Sequence, residues 1–215
     1  MIPVRRITIL TSLSLSLACC TDVPEEGVER GRVLFATCTP CHGDDGEGNQ
    51  EYGAPAIAGL PAWYLETQLE HFREGIRGGH PDDAAGLRMR PMVQTLRKES
   101  DLRSVAAYVA SLPAPAPPAS LRGGSADRGR AIYATCAECH GAEGRGDRAR
   151  GAPDLTGASD WYLLTQLSNF KAGVRGADPR DTTGATMRPM AMALADEQAM
   201  RDVVAYIATL PEEAQ

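Results

Sequence analysis

Two five-residue stretches decide how this chain folds: Cys38-Thr39-Pro40-Cys41-His42 and Cys136-Ala137-Glu138-Cys139-His140. C-x-x-C-H is the attachment signal for a c-type haem. Each cysteine adds to one vinyl group of the porphyrin as a thioether, and the histidine that follows is held under the iron as its proximal ligand. The spacing lets two sulfurs reach neighbouring edges of one ring while the imidazole points at its centre. A thioredoxin-like dithiol would sit in a βαβ setting, and neither copy is flanked by a strand pattern. A structural zinc site takes four ligands. Each copy offers three, and the second half of the chain holds no further Cys or His. Two covalently bound haem c groups are therefore expected, on Cys38, Cys41 and His42 and on Cys136, Cys139 and His140.

Both stretches belong to a longer repeat. Residues 29–113 align with 127–211 without a gap at a constant offset of 98, and about half the positions are identical. Gly53-Ala54-Pro55 matches Gly151-Ala152-Pro153, Trp63-Tyr64-Leu65 matches Trp161-Tyr162-Leu163, and Met89-Arg90-Pro91-Met92 matches Met187-Arg188-Pro189-Met190. A unit of this length is a duplicated domain and not a solenoid repeat. Between the copies runs Ala114-Pro115-Ala116-Pro117-Pro118-Ala119. Such a run favours polyproline geometry and makes a semi-rigid spacer, which Gly123-Gly124 is expected to loosen. The organisation expected is a leader over 1–20, a first domain over 27–113, a Pro-rich linker over 114–126 and a second domain over 127–212. Each domain is small enough that its core is marginal alone, so the haem is expected to form its centre.

The leader has Arg5 and Arg6 before a short apolar run, Ile7 to Leu17, and then Ala18-Cys19-Cys20. This reads as a secretory signal, too short to span a membrane permanently. Export places the protein in the periplasm. Ser16-Leu17-Ala18-Cys19 also approximates a lipoprotein cleavage site, which would attach the chain to a membrane through a lipidated Cys19. Of six cysteines, the haem motifs use four and the leader holds the other two. The net charge of −6 comes without any basic block, which gives nucleic-acid binding no electrostatic support.

No segment alternates with period two for long, so an all-α fold is expected, with three helices per copy. The first runs from about Val28 to the haem motif. The second begins near Trp63, with Leu65, Leu69, Phe72 and Ile76 on one face. The third spans about Glu99 to Leu112, with Asp196 as the N-cap of its twin and Pro113 and Pro211 as stops.

The sixth iron ligand separates electron transfer from catalysis, because an open position admits substrate. His140 is the only histidine of the second copy. His71 and His80 of the first align with Asn169 and Asp178, and both are read as surface residues. The duplicated Met-Arg-Pro-Met unit offers a thioether in both copies instead. Pro91 and Pro189 are expected to keep that unit out of regular helix and let a side chain turn inward, either Met89 and Met187 or Met92 and Met190. Pro55 and Pro153 follow their haem histidines by 13 residues, where a carbonyl can orient the imidazole. Trp63, Tyr64 and Arg77, with Trp161, Tyr162 and Arg175, are paired candidates for the haem propionates.

These residues together resemble the dihaem cytochrome c4 family: two C-x-x-C-H motifs, Pro55 to Gly59 and Pro153 to Gly157, Tyr-Leu-x-x-Gln-Leu at the second helix, and Met before the last. The resemblance covers nearly all of the chain after the leader. It implies two tandem class I cytochrome c domains, Met89 and Met187 as the axial ligands, and haems packed near a pseudo-two-fold interface with their propionates close together. It implies a periplasmic electron shuttle to a terminal oxidase or other respiratory complex. Two other functions stand beside it. One is a haem subunit of a larger membrane oxidoreductase. The other is a dihaem enzyme of the peroxidase or thiosulfate dehydrogenase type, which the close likeness of the halves argues against.

Overall fold

The computed structural model describes residues 23–211, and the leader with Cys19 and Cys20 lies outside them. The first copy contains α1 (Val28–Phe35), α2 (Thr39–His42), α3 (Ala62–Arg73), α4 (Ala84–Val93) and α5 (Glu99–Ser111). The second contains α6 (Ala126–His140), α7 (Asp160–Ala172), α8 (Thr182–Met192) and α9 (Glu197–Ile207). Among the described residues, β pairing is limited to the isolated bridges Asn49–Ala54 and Asp147–Ala152. The fold is all-α.

α6 runs unbroken into its haem motif, whereas the first copy divides the same stretch into α1 and α2. Pro40 accounts for the break. Its ring would collide with the carbonyl four residues back in a continuous helix, but a proline is tolerated in the first turn of a new one. α2 accordingly restarts at Thr39 with Pro40 in its first turn.

In each copy the entering helix packs across the last one, α1 on α5 and α6 on α9. Gly31 and Gly129 stand at the two crossings. A Cβ on Gly31 would overlap the Ser104 carbonyl and come within 2.7 Å of the Tyr108 Cβ; one on Gly129 would overlap the Asp202 carbonyl and come within 2.8 Å of the Tyr206 Cβ. Beside each crossing an aromatic pair packs, Phe35 with Tyr108 at 5.4 Å and Tyr133 with Tyr206 at 5.2 Å between centroids. An ion pair closes each crossing, Arg30 with Asp101 at 2.9 Å and Arg128 with Asp202 at 2.6 Å. Hydrogen bonding by Arg128 holds the Asp202 carboxyl down at about 2.

Three expectations require correction. First, Pro91 and Pro189 lie inside α4 and α8 and do not exclude the Met-Arg-Pro-Met unit from helix, so each copy has more than the three helices expected. Asp83 and Asp181 cap these helices by accepting from Gly86 and Gly184 amides at 2.9 and 2.7 Å. Each proline falls near the C-terminal end, so it forfeits one ladder bond without preventing the turns before it. Second, α3 stops at Arg73, which leaves Ile76 beyond the helix whose face it was expected to share. Gly75, at φ 73°, turns the chain there. Third, Gly123-Gly124 does not loosen the linker. A Cβ on Gly124 would meet the Ala205 Cβ at 2.8 Å, Gln198 donates to the Gly123 carbonyl at 2.7 Å, and Arg201 donates to that of Arg122. The glycines allow the chain to press against α9.

Asp160 fastens the preceding linker residues. Its carboxylate accepts from the Ser120 amide at 2.7 Å, the Ser120 hydroxyl at 2.6 Å and the Leu121 amide at 2.8 Å. Burial alone would push this carboxyl up, but these bonds outweigh it and hold the group below its ordinary value. The clasp is therefore complete above about pH 4 and is lost as the carboxylate protonates in acid. Asp160→Ala is expected to raise the rate of protease cleavage within 114–123 and to speed amide exchange at Ser120 and Leu121, with the helices unchanged. Wild-type rates in the variant would show that the clasp holds nothing.

Candidate functional site

Each C-x-x-C-H histidine is buried, with 7% of His42 and 7% of His140 exposed. His42 Nδ1 lies 2.9 Å from the Pro55 carbonyl oxygen, and His140 Nδ1 lies 2.9 Å from that of Pro153. A carbonyl only accepts, so Nδ1 carries the proton and donates. Nε2 is left with its lone pair, as a metal ligand requires. Burial pushes both imidazoles below their ordinary value, against the raising effect of these hydrogen bonds, and keeps them neutral. Burial, with a smaller contribution from Cys41, likewise pushes the Cys38 thiol up to about 11. A helical turn joins each histidine to its two cysteines.

The methionines divide by exposure. Met89 and Met187 are half-buried, whereas Met92 and Met190 are each 37% exposed and Met192 is 54% exposed. α4 and α8 pack on α3 and α7 respectively. The apolar clusters carry Cys38 with Leu34, Ile57, Leu60 and Leu69 in the first copy, and Cys136 with Leu155, Leu163 and Leu167 in the second.

The paired Arg and Tyr candidates meet each other across the seam between copies. Arg77 donates to Gln68 Oε1 at 2.9 Å, and to Tyr162 Oη and Gln166 Oε1, both at 3.3 Å. Arg175 donates to Gln166 Oε1 at 2.8 Å and to Gln68 Oε1 at 2.9 Å. Each glutamine oxygen thus accepts from both arginines. Each guanidinium also stacks over a phenyl ring of its own copy, Phe72 at 4.4 Å and Phe170 at 4.6 Å. Burial would raise the Tyr162 phenol, but Arg77 and Arg175 reverse this and hold it low.

This cluster tests whether the chain suits haem. Arg77 and Arg175 of the cluster, and Arg188 of α8, each bury an Nε–H group that lacks a partner. A buried donor left unpaired costs about 1–3 kcal/mol. The carboxylates of a haem have the charge and the lone pairs that three such donors call for, and the neutral imidazoles and thiols supply the rest of the donor set. The residues fit the group. Sequence reading missed Gln68 and Gln166, which look like ordinary polar helix residues; their place in the Tyr-Leu-x-x-Gln-Leu repeat was the available signal. It also misplaced His71, whose side chain is 14% exposed and lies on the seam, 3.9 Å from Asp181. His80 is exposed.

Two copies of one helical unit, each presenting a buried imidazole beside two thiols, define a tandem c-type cytochrome. The family profile for Cytochrome c matches residues 28–113 and again 126–211, and the chain belongs to the cytochrome c family. It is 34% identical over 71% of its length to the "Thiosulfate dehydrogenase electron acceptor" of Stutzerimonas stutzeri (strain A1501), covering 71% of that protein. It is 32% identical over 79% of its length to "Cytochrome c4" of Stutzerimonas stutzeri, covering 85% of it. The crystal structure of reduced recombinant cytochrome c4 from Pseudomonas stutzeri superposes with a TM-score of 0.68 at 29% identity, over 86% of this chain and 100% of that one. Within its family this is a dihaem electron-transfer protein of the c4 type, with two covalently bound haem c groups.

Proposed function

We propose that Cys38 and Cys41 carry the first haem as thioethers, with His42 and Met89 on its iron, and that Cys136, Cys139, His140 and Met187 do the same for the second. The iron supplies a reversible one-electron change between ferric and ferrous. The chain's residues keep that change small in structural cost. Pro55 and Pro153 carbonyls fix the imidazole planes, the methionine thioethers favour the ferrous state, and burial excludes water from the histidines. The protein is a carrier with no reaction of its own. The observation that carries this reading is the equivalence of the two sites, with histidine-to-carbonyl distances of 2.9 Å in both. An enzyme site needs one iron left open, and the two copies present the same residues.

The carrier works in the periplasm after export by the 1–20 leader, with Cys19 available as a lipid anchor; the leader lies outside the described residues. Domain limits of 27–113 and 127–212 about the 114–126 linker follow the repeat. Its partners are redox proteins, with a terminal oxidase or other respiratory complex as acceptor. A donor of the thiosulfate dehydrogenase kind is supported by the name of one relative, an electron acceptor of that enzyme. Absorption spectra of protein matured in a bacterial periplasm test the reading. Two c-type haems per chain, a ferric methionine–iron band and an unchanged reduced spectrum under carbon monoxide are expected. A carbon monoxide shift in half the haem would replace the carrier with a dihaem enzyme.

A further inference from the structure

Where the two copies differ at the seam, they differ in their capacity to hold a proton. His71 stands on α3 of the first copy, and its repeat partner on α7 is Asn169. The local backbone is the same in both, since the Arg77 amide donates to the His71 carbonyl at 3.0 Å and the Arg175 amide to the Asn169 carbonyl at 3.1 Å. Only one of the two side chains titrates. His71 Nδ1 faces Asp181 Oδ1 of the second copy at 3.9 Å, and the aspartate is 3% exposed at its side chain. Asp181 is the N-cap of α8, which carries Met187, and the same Oδ1 accepts from the Gly184 amide at 2.7 Å.

We propose that His71 is a proton-binding group shared between the copies, which couples the potential of the second haem to pH through Asp181. The inference rests on the haem reading above. A proton taken up at His71 places a positive charge across the seam from the cap of the methionine helix. A positive charge near an iron favours the ferrous form, so the potential of the second haem rises as His71 protonates. Conversely, reduction of that haem raises the proton affinity of His71 by linkage.

The groups facing His71 come from both copies. Burial is the largest influence and opposes its protonation; Asp181 favours it, Arg175 and Arg77 oppose it, and Glu74 favours it. Asp178 also senses the histidine but is bound to Arg180 at 2.7 Å. The balance lies below the ordinary imidazole value. The coupling therefore operates on the acid side of the ordinary imidazole value.

The test uses the full-length dihaem protein, with haem content measured first. Fewer than two haems per chain would defeat the haem reading itself and be recognised as such. Potentials of both haems are then followed from neutral pH down to about pH 4.5, using resolved haem methyl resonances, in wild type and in His71→Asn, the residue already used by the other copy. The expected result is a difference between the two curves at the second haem that is zero at neutral pH and opens below about pH 6.5, with the wild type higher. Asp181→Asn keeps an effective N-cap and removes the charge that favours the imidazolium, so the wild-type step moves to lower pH. His80→Asn leaves the curves unchanged. Coincident wild-type and His71→Asn curves overturn the proposal, as does a difference confined to the first haem or an Asp181→Asn step that does not move.

Discussion

Met187→Ala gives a protein in which half the haem binds carbon monoxide when reduced and the potential of the second haem falls on the order of 0.1 V, within the ~0.8 V range that axial ligation commands. The first haem keeps its spectrum and potential. The expectation rests on what else the second copy offers the iron. His140 is its only histidine. Met190 and Met192 are 37% and 54% exposed, and both lie in α8. Met187 is half-buried in the same helix. His71, the imidazole that the first copy brings to the seam, sits against the Asp181 carboxylate. Alanine at 187 therefore leaves no thioether at the iron and no ready substitute for it. Carbon monoxide difference spectra and potentiometry, run beside Met190→Ala, decide the assignment. An open haem in Met190→Ala with a closed one in Met187→Ala would transfer the ligand to Met190.

Gly129→Ala is expected to destabilise the second copy by about 3 kcal/mol, the upper end of what overpacking costs, and Gly31→Ala to do the same to the first. The helix itself gains from alanine, by up to about 1 kcal/mol, so propensity alone predicts the opposite sign. Packing decides the outcome. The new methyl on residue 129 meets the Asp202 carbonyl of α9, which is backbone and cannot rotate away, and lies 2.8 Å from the Tyr206 Cβ. Relief requires α6 and α9 to separate, which would also part Tyr133 from Tyr206 and Arg128 from Asp202. Chemical denaturation followed at each haem measures the effect, and a variant as stable as the wild type would mean the crossing yields more easily than its backbone contact indicates.

Those two predictions draw unequally on the sequence. The haem motifs are legible because their chemistry demands contiguous residues, and the offset of 98 is legible because it needs no structure at all. The crossings were half visible: Arg30-Gly31-Arg32 aligns with Arg128-Gly129-Arg130 at the same offset, but nothing in that match says that the glycine carries a helix contact. α4 and α8 escaped because Pro91 and Gly86 both argue locally against helix, while the Asp83 cap and the packing on α3 outweigh them. The Arg77–Gln68–Gln166–Arg175 cluster escaped for a different reason. Its partners stand 89 and 107 positions apart, and no periodicity within a helix reports a neighbour supplied by the other copy. His71 was misplaced by the same blindness, since its surroundings exist only after the copies meet.

The shared glutamine oxygens also bear on how such a gene can evolve. Each arginine takes part of its hydrogen bonding from the half that did not encode it. A duplication usually yields two modules free to be lost, shuffled or specialised singly. Here the trade in acceptors has ended that independence, because either half cut free would expose a guanidinium that its own residues satisfy only in part. The ancestral unit must have found other partners for that charge, and the present pair has become one heritable object.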